Sequence, residues 1–573
     1  MYIQTNKNTS KSGKTYKSVL LCHKYRQDGK IKTQIICPLT NFPENVISAI
    51  KNSLHKPDGQ MVAVKDIVIE KSIDYGFICI LLLLMENLRI NQVFETLMPN
   101  QAAIAKLMII GKIVTKGSKL SIFNWILRND TIAQNLGIDI KKLKLDDLYS
   151  TLNEITNLQK SIERKWGMYH KIKEKEIFLY DITSTYFEGN QNELAAFGYN
   201  RDKKKGKMQI NIGLITDKKG FPIKIQVFEG NINDYKTVVE QIKSLSQEFG
   251  AEHIIFVGDR GMRIRFNLEQ ITQEEQNGVD YITGLTRLEI EQLIEKKVIQ
   301  LNLFAKELVE IEDDKIRYIL SVNPDLEKES ASKRNELRNK FEENIGEVQT
   351  SYNKKQTQFQ NNIKKIKEGS KNKKLVIQFT AKQLDKYKFD VQTLLQKYKM
   401  NKFYNISIDS QNFNIKFDIQ AYNNSRNLDG KYVIATTVSK QKLDTKEVKD
   451  NYKALQNVEH AFRDLKTAKL DIRPIFHVKE ETTRAHVLIS MFSYCIIKEL
   501  ETKICPFLTN YNKKENDKLS YKDIEEELKM IKLNIIKLGY EHREIKITQP
   551  NDLQRQILEL LNITDKQMQK IKM

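Results

Sequence analysis

Three acidic residues in this chain stand in settings that suit a shared metal site. Asp181 lies inside a strand-like run, KEIFLYDITSTYFEG, Asp259 closes another, HIIFVGDRGM, and Glu459 falls in a helical pattern, NYKALQNVEHAFRDLKT. Two aspartates on strands and a glutamate on a later helix can together hold two divalent cations, which activate water or a 3′-hydroxyl for attack on a phosphodiester. Each residue also has an ordinary reading by itself. Asp181 could pair with a Lys or Arg across a sheet, offsetting the cost of burying a lone carboxylate. Asp259 could cap a following helix, although ligands also favour the carboxyl ends of sheet strands. Glu459 could sit on an exposed, salt-bridged helix. Tyr452, Glu459 and Lys466 recur every seventh residue and nearly share one azimuth, drifting about 20° per step. Arg463, one turn after Glu459, is spaced to form an ion pair with it. The three settings together, in this order within one core, point to metal-dependent phosphodiester chemistry.

The elements that must position these residues are legible as changes of period. From about residue 176 the alternation is two, and IFLYDITSTYF, MQINIGLIT and PIKIQVFEG read as successive strands, with DKKGF as a turn. NDYKTVVEQIKSLSQEFG reads as a helix stopped by Gly250, followed by the apolar strand IIFVG, a helix, and the strand VDYITGL. The order βββαβαβ is that of a ribonuclease H-like core. The fold class expected is therefore α/β, a mixed sheet flanked by helices. The expected division is a small β-rich module over 1–55 and a helical domain over 56–172 that could read a DNA end or serve only as packing. The core then runs over 173–290 with Asp181 and Asp259, and resumes over 445–510 with Glu459. A large β-rich insertion occupies 291–444, and a helical, basic tail occupies 511–573. In the helical domain Leu148, Leu152, Ile155, Ile162, Trp166 and Tyr169 follow three-and-four spacing, interrupted at Gln159, and Gly117 with Ser118 reads as a helix start. Inside the insertion, Ala331 to Lys374 is charged and helix-prone, either a basic arm on DNA or a solvated helical hairpin.

Composition narrows the partner. The chain of 573 residues is 40% hydrophobic, enough for packed cores, and carries a formal charge of +21. That excess points to a polyanion. A membrane surface is the rival, but no long basic amphipathic helix with an aromatic face is present. The five cysteines are scattered, without zinc-type spacing, and read as buried small hydrophobes in a reducing cytosol. MYIQTNKNTS lacks the apolar run of a signal peptide, and Phe77 to Met85 is too short to span a bilayer, so it reads as a core helix.

With these residues in view, the chain resembles bacterial insertion-sequence transposases with a DDE catalytic domain. More narrowly it resembles the IS-four superfamily in its IS-sixteen-thirty-four branch. That superfamily carries a Tyr-x2-Arg-x3-Glu-x6-Lys signature. Tyr452, Glu459 and Lys466 match it, while Leu455 stands where Arg is expected and Arg463 is the candidate to supply that cation. YDITSTYFEG, ELAAFGYNRDKKKGKMQINIGL, FEGNINDYKT, VGDRGM, DGKYV and DIRPIFHV also match, as does the 200-residue separation of Asp259 and Glu459. The resemblance implies that Asp181, Asp259 and Glu459 are the catalytic triad and the ligands of two Mg²⁺ ions, with Mn²⁺ as a substitute. It implies that Tyr452, Lys466, Arg463 and Arg260 contact DNA. The expected partners are the terminal inverted repeats and target DNA, bridged by a homodimer, and the expected location is the cytoplasm at the bacterial nucleoid. The expected reaction is hydrolysis at the element's end and transfer of the freed 3′-hydroxyl into target DNA. The alternatives are another ribonuclease H-like nuclease, or a non-catalytic, domesticated DNA-binding protein.

Overall fold

The computed structural model describes residues 1–55, 67–189, 191–202, 204–262, 278–305, 308–369, 375–467, 469–514, 518–538 and 542–570. The helix expected between Asp259 and VDYITGL lies outside these residues, as do 370–374 at the end of the charged segment. The chain divides into two compact units, one formed by residues 1–83 with 501–573 and the other by 84–500.

In the first unit, β1 (Tyr2–Thr9), β2 (Thr15–Gln27) and β3 (Lys30–Pro38) form an antiparallel sheet, followed by a helix over Glu44–His55. A further strand, β4 (Ile67–Asp74), precedes the helices of the second unit, so the expectation of a helical pattern from about 60 fails at its start. The apolar run Phe77 to Met85 is helical, and seven of its nine side chains are at most 1% exposed. Among the described residues no single helix is long and apolar enough to cross a membrane.

The second unit is built on one eight-stranded sheet. Its strands are β5 (Ile177–Tyr186), β6 (Gln209–Asp217), β7 (Pro222–Glu229), β8 (Ile254–Gly258), β9 (Val279–Gly284), β10 (Leu308–Asp313) and β11 (Ile316–Val322), with one more from further along the chain. A separate hairpin pairs β12 (Tyr404–Ile408) with β13 (Phe413–Phe417), and β14 (Lys431–Thr436) completes the large sheet in the order β10-β11-β14-β9-β8-β5-β6-β7. β5, β8 and β9 run parallel, and every other neighbouring pair is antiparallel. The parallel centre is covered on both faces, which is why β8 reads as an unbroken apolar run and is buried throughout.

The insertion differs from the expectation of a β-rich body. Three of its strands, β10, β11 and β14, extend the core sheet itself. Most of the rest is a helical hairpin, Pro324–Lys367 against Ala381–Lys397. Its charge is a solvated surface around a private aromatic core that includes Phe341, Tyr352, Phe359, Phe379 and Tyr387. The tail also departs from the helical expectation. β15 (Lys532–Leu538) pairs with β16 (His542–Ile547) on one side and with β4 on the other. The alternating apolar residues of KLNIIKL outweigh its lysines once a partner strand is supplied from elsewhere in the chain.

The helical block of the second unit follows the three-and-four spacing. Leu148, Leu152, Ile155, Ile162 and Trp166 are fully buried on helices Leu145–Asn157 and Gln159–Tyr169, while Tyr169 lies at the surface. Trp166 donates its Nε1–H to the Pro222 carbonyl at 3.1 Å, fixing the block to the rim of the sheet. A buried charge cluster makes a second tie. Lys224 on β7 lies 2.8 Å from Glu248 and 4.0 Å from Glu163, and Gln159 donates to Glu163 at 3.0 Å. Burial pushes the Glu163 carboxyl up to about 7, against the pull of Lys224. For an acid whose folded pKa is raised, the stabilising contribution is complete below its usual value of 4.5 and is lost as pH rises through about 7. Across that window Glu163 should cost the chain about 3 kcal/mol of stability. Glu163→Gln should make the slope shallower by that amount, as read from denaturant unfolding on either side of the window.

Candidate active site

The parallel register of β5 and β8 sets the first two carboxylates side by side. Tyr180 is level with Gly258, so the next pair along is Asp181 and Asp259. Neighbouring strands lie about 4.8 Å apart and level residues face the same way. Asp181 sits in mid-strand and is half-buried, whereas Asp259 has just left the carboxyl end of β8 and is exposed.

Glu459 comes from the helix Gln456–Lys466. Val458, Ala461, Phe462 and Leu465 form its buried stripe, and Glu459 borders that stripe, exposed at its edge. Asn457, at the start of the helix, donates to the Lys218 carbonyl at 3.2 Å in the β6–β7 turn. The preceding helix, Thr445–Lys453, seats Tyr452 against β9. A Cβ on Gly284 would stand 2.2 Å from the Tyr452 hydroxyl, so only glycine leaves room for it. Burial and then the adjacent Asp259 carboxylate push that phenol up to about 12, so it stays a neutral hydrogen-bond donor.

Lys466, expected to contact DNA, is buried in the wall of the site. It is 8% exposed and donates to the Ser184 carbonyl of β5 and to Asp202. Asp202 is a hub. It also takes Arg473 at 2.6 Å and accepts from the Tyr186 backbone N–H at 3.2 Å. Lys466 thus straps the glutamate helix to the strand that carries Asp181. Arg463 is exposed on the same helix and makes no ion pair with Glu459 among the described residues. Leu455, in the position expected of Arg, is a nearly buried apolar side chain at the start of that helix.

Asp181, Asp259, Glu459, Tyr452, Arg260, Arg463 and Lys466 all line one cavity of about 970 Å³. The far wall comes from the insertion, where Arg334 grips Asp429 with both terminal nitrogens and Gly430, at φ +65°, passes close to the Asn323 carbonyl. Burial pushes Asp181 up to about 7. The Ile182 backbone N–H and Arg201 pull it down, and the charges of Asp259 and Glu459 add to the rise.

Two family models match the chain. Residues 172–496 match the transposase DDE domain and residues 3–58 match the IS1634 family transposase N-terminal domain. The chain belongs to the DDE transposases. It is an insertion-sequence transposase of the IS1634 branch, a DNA-binding, DNA-cleaving family that works with divalent metal ions. No curated protein matches it. A solved structure, a piggyBac transposase synaptic complex with hairpin DNA, aligns over 80% of each chain at 8% identity with a TM-score of 0.34, a likeness too distant to build on.

Within this transposase the acids share a cavity without closing on a point. Among the described residues no group of three or more His, Cys, Asp or Glu side chains is tight enough to hold a metal ion. The donor set still suits a hard divalent cation, since all three acids offer oxygen ligands and their mutual repulsion at Asp181 is relieved by a bound cation. Sequence reasoning missed Arg201 and Asp234, which line the same cavity and pair at 2.5 Å. The arginine lies in the stretch FGYNRDKKKGK, but its reach toward Asp181 depends on a loop anchored by its own backbone N–H on Ser184 Oγ at 2.9 Å. Gly284 was missed as well, because a lone glycine at a strand end reads as a terminator. Gly284→Ala should destabilise the transposase by about 1–3 kcal/mol through overpacking. In a Tyr452→Ala background the same change should cost little, and a double-mutant cycle on unfolding free energy reads the difference.

Proposed function

We propose that Asp181, Asp259 and Glu459 are the catalytic carboxylates of this transposase and that the core carrying them is ribonuclease H-like. The observation that carries the proposal is their convergence on one cavity, where two of the acids raise the proton affinity of the third. The strand order β7-β6-β5-β8-β9, with three parallel strands and an antiparallel pair, supports the fold reading. The three acids would hold Mg²⁺, or Mn²⁺ in its place, as two ions. Such ions polarise the phosphoryl oxygens and lower the pKa of bound water.

In the first step a water oxygen attacks phosphorus at the element's end. The bond to the 3′-oxygen breaks, leaving a 3′-hydroxyl and a 5′-phosphate. In the second step that hydroxyl attacks a target phosphodiester, forming one P–O bond as another breaks, so no cofactor is consumed. Tyr452, a neutral donor beside Asp259, orients a phosphate oxygen. Arg260 and Arg463, both exposed on the cavity, take the DNA backbone. Lys466 positions the Glu459 helix through Asp202 and Ser184. The terminal inverted repeats are bound by a homodimer at the bacterial nucleoid, and the helical block of 84–172 contributes to holding the ends.

Strand cleavage and joining, assayed with Mg²⁺ on DNA carrying the element's ends, tests this reading. Asp181→Asn, Asp259→Asn and Glu459→Gln should each reduce both steps by well over the roughly hundredfold that loss of a supporting residue brings, with end binding retained. Undiminished cleavage by any one of them removes that residue from the site. Because Asp181 must lose its proton to bind a cation, Mg²⁺ affinity should fall about tenfold per pH unit below about 7 and level off above it. Calorimetric titration of Asp181→Asn should show no such bend.

A further inference from the structure

A second cavity, of about 540 Å³, lies between the helical block and the segment that follows the Glu459 helix. Lys112, Lys119, Arg473, His477 and His486 line it, and Asp471 is the one carboxylate among them. Lys112 and Lys119 are each 2% exposed. Lys112 donates to the carbonyls of Gly117 at 3.4 Å and Asp471 at 3.2 Å, and Lys119 lies 3.1 Å from His486 Nδ1. These partners are neutral acceptors. No carboxylate stands within ion-pair distance of either lysine among the described residues. Arg473, by contrast, is already held by Asp202.

Two buried ammonium groups with no carboxylate in ion-pair contact, and only the charge of Asp471 acting on Lys112 from further off, are costly, and the cost falls when an anion enters. Burial pulls Lys112 down to about 8 and Lys119 down to about 7, and the neighbouring cation Lys112 adds to the fall at Lys119. Burial and the two lysines hold both histidines well below their usual range. The imidazoles therefore stay neutral and do not compete for the anion. The helix Lys119–Arg128 starts in this cavity, since Gly117, Ser118 and Lys119 all line it. Its first backbone N–H groups lack intrahelical acceptors, and the positive end of its dipole points the same way. The cavity carries a net positive charge and opens at a rim that includes the exposed Ser118, Phe476 and Lys479.

We propose that this cavity is a phosphate-binding site that takes a backbone phosphate of bound DNA, with Lys119 and Lys112 as its cations. The proposal rests on the transposase reading and adds a contact outside the acidic cavity. Its position suits that use. Ile475, in the segment that walls the site, accepts from the Glu188 N–H at 2.9 Å and donates to the Tyr186 carbonyl at 3.3 Å, at the end of the strand that carries Asp181. A strand of DNA gripped here is tied to the same framework as the catalytic acids.

The test uses the full chain, a fluorescent DNA duplex of arbitrary sequence and inorganic phosphate. Lys119→Met should weaken duplex binding about tenfold, the range for a charged hydrogen bond. It should also flatten the dependence of log K on log salt by about 0.9. The same substitution should raise the melting temperature of the free protein, because it removes a desolvated cation. A merely structural lysine would lower it. Inorganic phosphate, at constant ionic strength, should raise the melting temperature of the wild type and leave Lys119→Met unmoved. Lys119→Arg should keep most of the duplex affinity. Unchanged affinity and slope in Lys119→Met would overturn the proposal, whether or not free phosphate binds there. A lowered melting temperature accompanying the lost affinity would overturn it too. If the wild type bound no duplex at all, the transposase reading would fall with it. A loss confined to the variant tests this site alone.

Discussion

Holding three carboxylates in one cavity is the constraint around which the second unit is arranged. Their mutual repulsion and the burial of Asp181 oppose the arrangement, and only a framework stiffer than that repulsion can keep it. The parallel β5–β8 ladder supplies the stiffest part, because its register leaves Asp181 and Asp259 no freedom to separate along the strands. Such central ladders, covered on both sides, are the most stable parts of a fold. Asp181 lies inside that ladder. Asp259 lies just past it, where the backbone can adjust to a ligand.

Glu459 cannot be held that way, because it arrives on a helix about 200 residues later in the chain. Its position depends on side chains. The Asp202 hub joins Lys466 and Arg473 to the end of β5, and Asn457 ties the start of the helix to the β6–β7 turn. Buried, charge-assisted bonds of this kind are stronger and more directional than surface pairs. They also keep the two cations occupied. Were Lys466 free to swing toward the acids, it would neutralise the charge that a divalent cation requires.

Much of this was legible in the sequence, and the reasons for the remainder are physical. Alternating runs gave β5 to β7, and short apolar runs gave β8 and β9, since a sheet centre covered on both faces demands near-continuous apolar residues. Asp181 stood out because a carboxylate inside such a run is anomalous. The strands of the tail and the joining of β10, β11 and β14 to the core sheet were hidden. Strand pairing across hundreds of residues leaves no local signal, and KLNIIKL beside helical neighbours reads as helix. The hub at Asp202 was hidden for the same reason, since its partners lie at 184, 186, 466 and 473. Nothing local in AAIAKLMIIGKIVT sets Lys112 apart from Lys106. Only the fold buries it.

The net charge of +21 takes on a more specific meaning once the residues are placed. Surface lysines, such as those on the hairpin Pro324–Lys367, are hydrated and raise the general attraction for a polyanion, an effect that salt screens. Buried charges behave differently, since water neither relieves nor screens them. The second unit holds one cavity where Asp181, Asp259 and Glu459 stand among cations such as Arg201, Arg260 and Lys466, and another where the buried Lys112 and Lys119 stand beyond ion-pair distance of any carboxylate among the described residues. Asp202 pairs with Lys466, which lines the first cavity, and with Arg473, which lines the second. A protein selected for stability alone would let such charges cancel. In the roles proposed, the acids take divalent cations and the buried lysines take phosphate, the two charge types that meet at a phosphodiester undergoing cleavage.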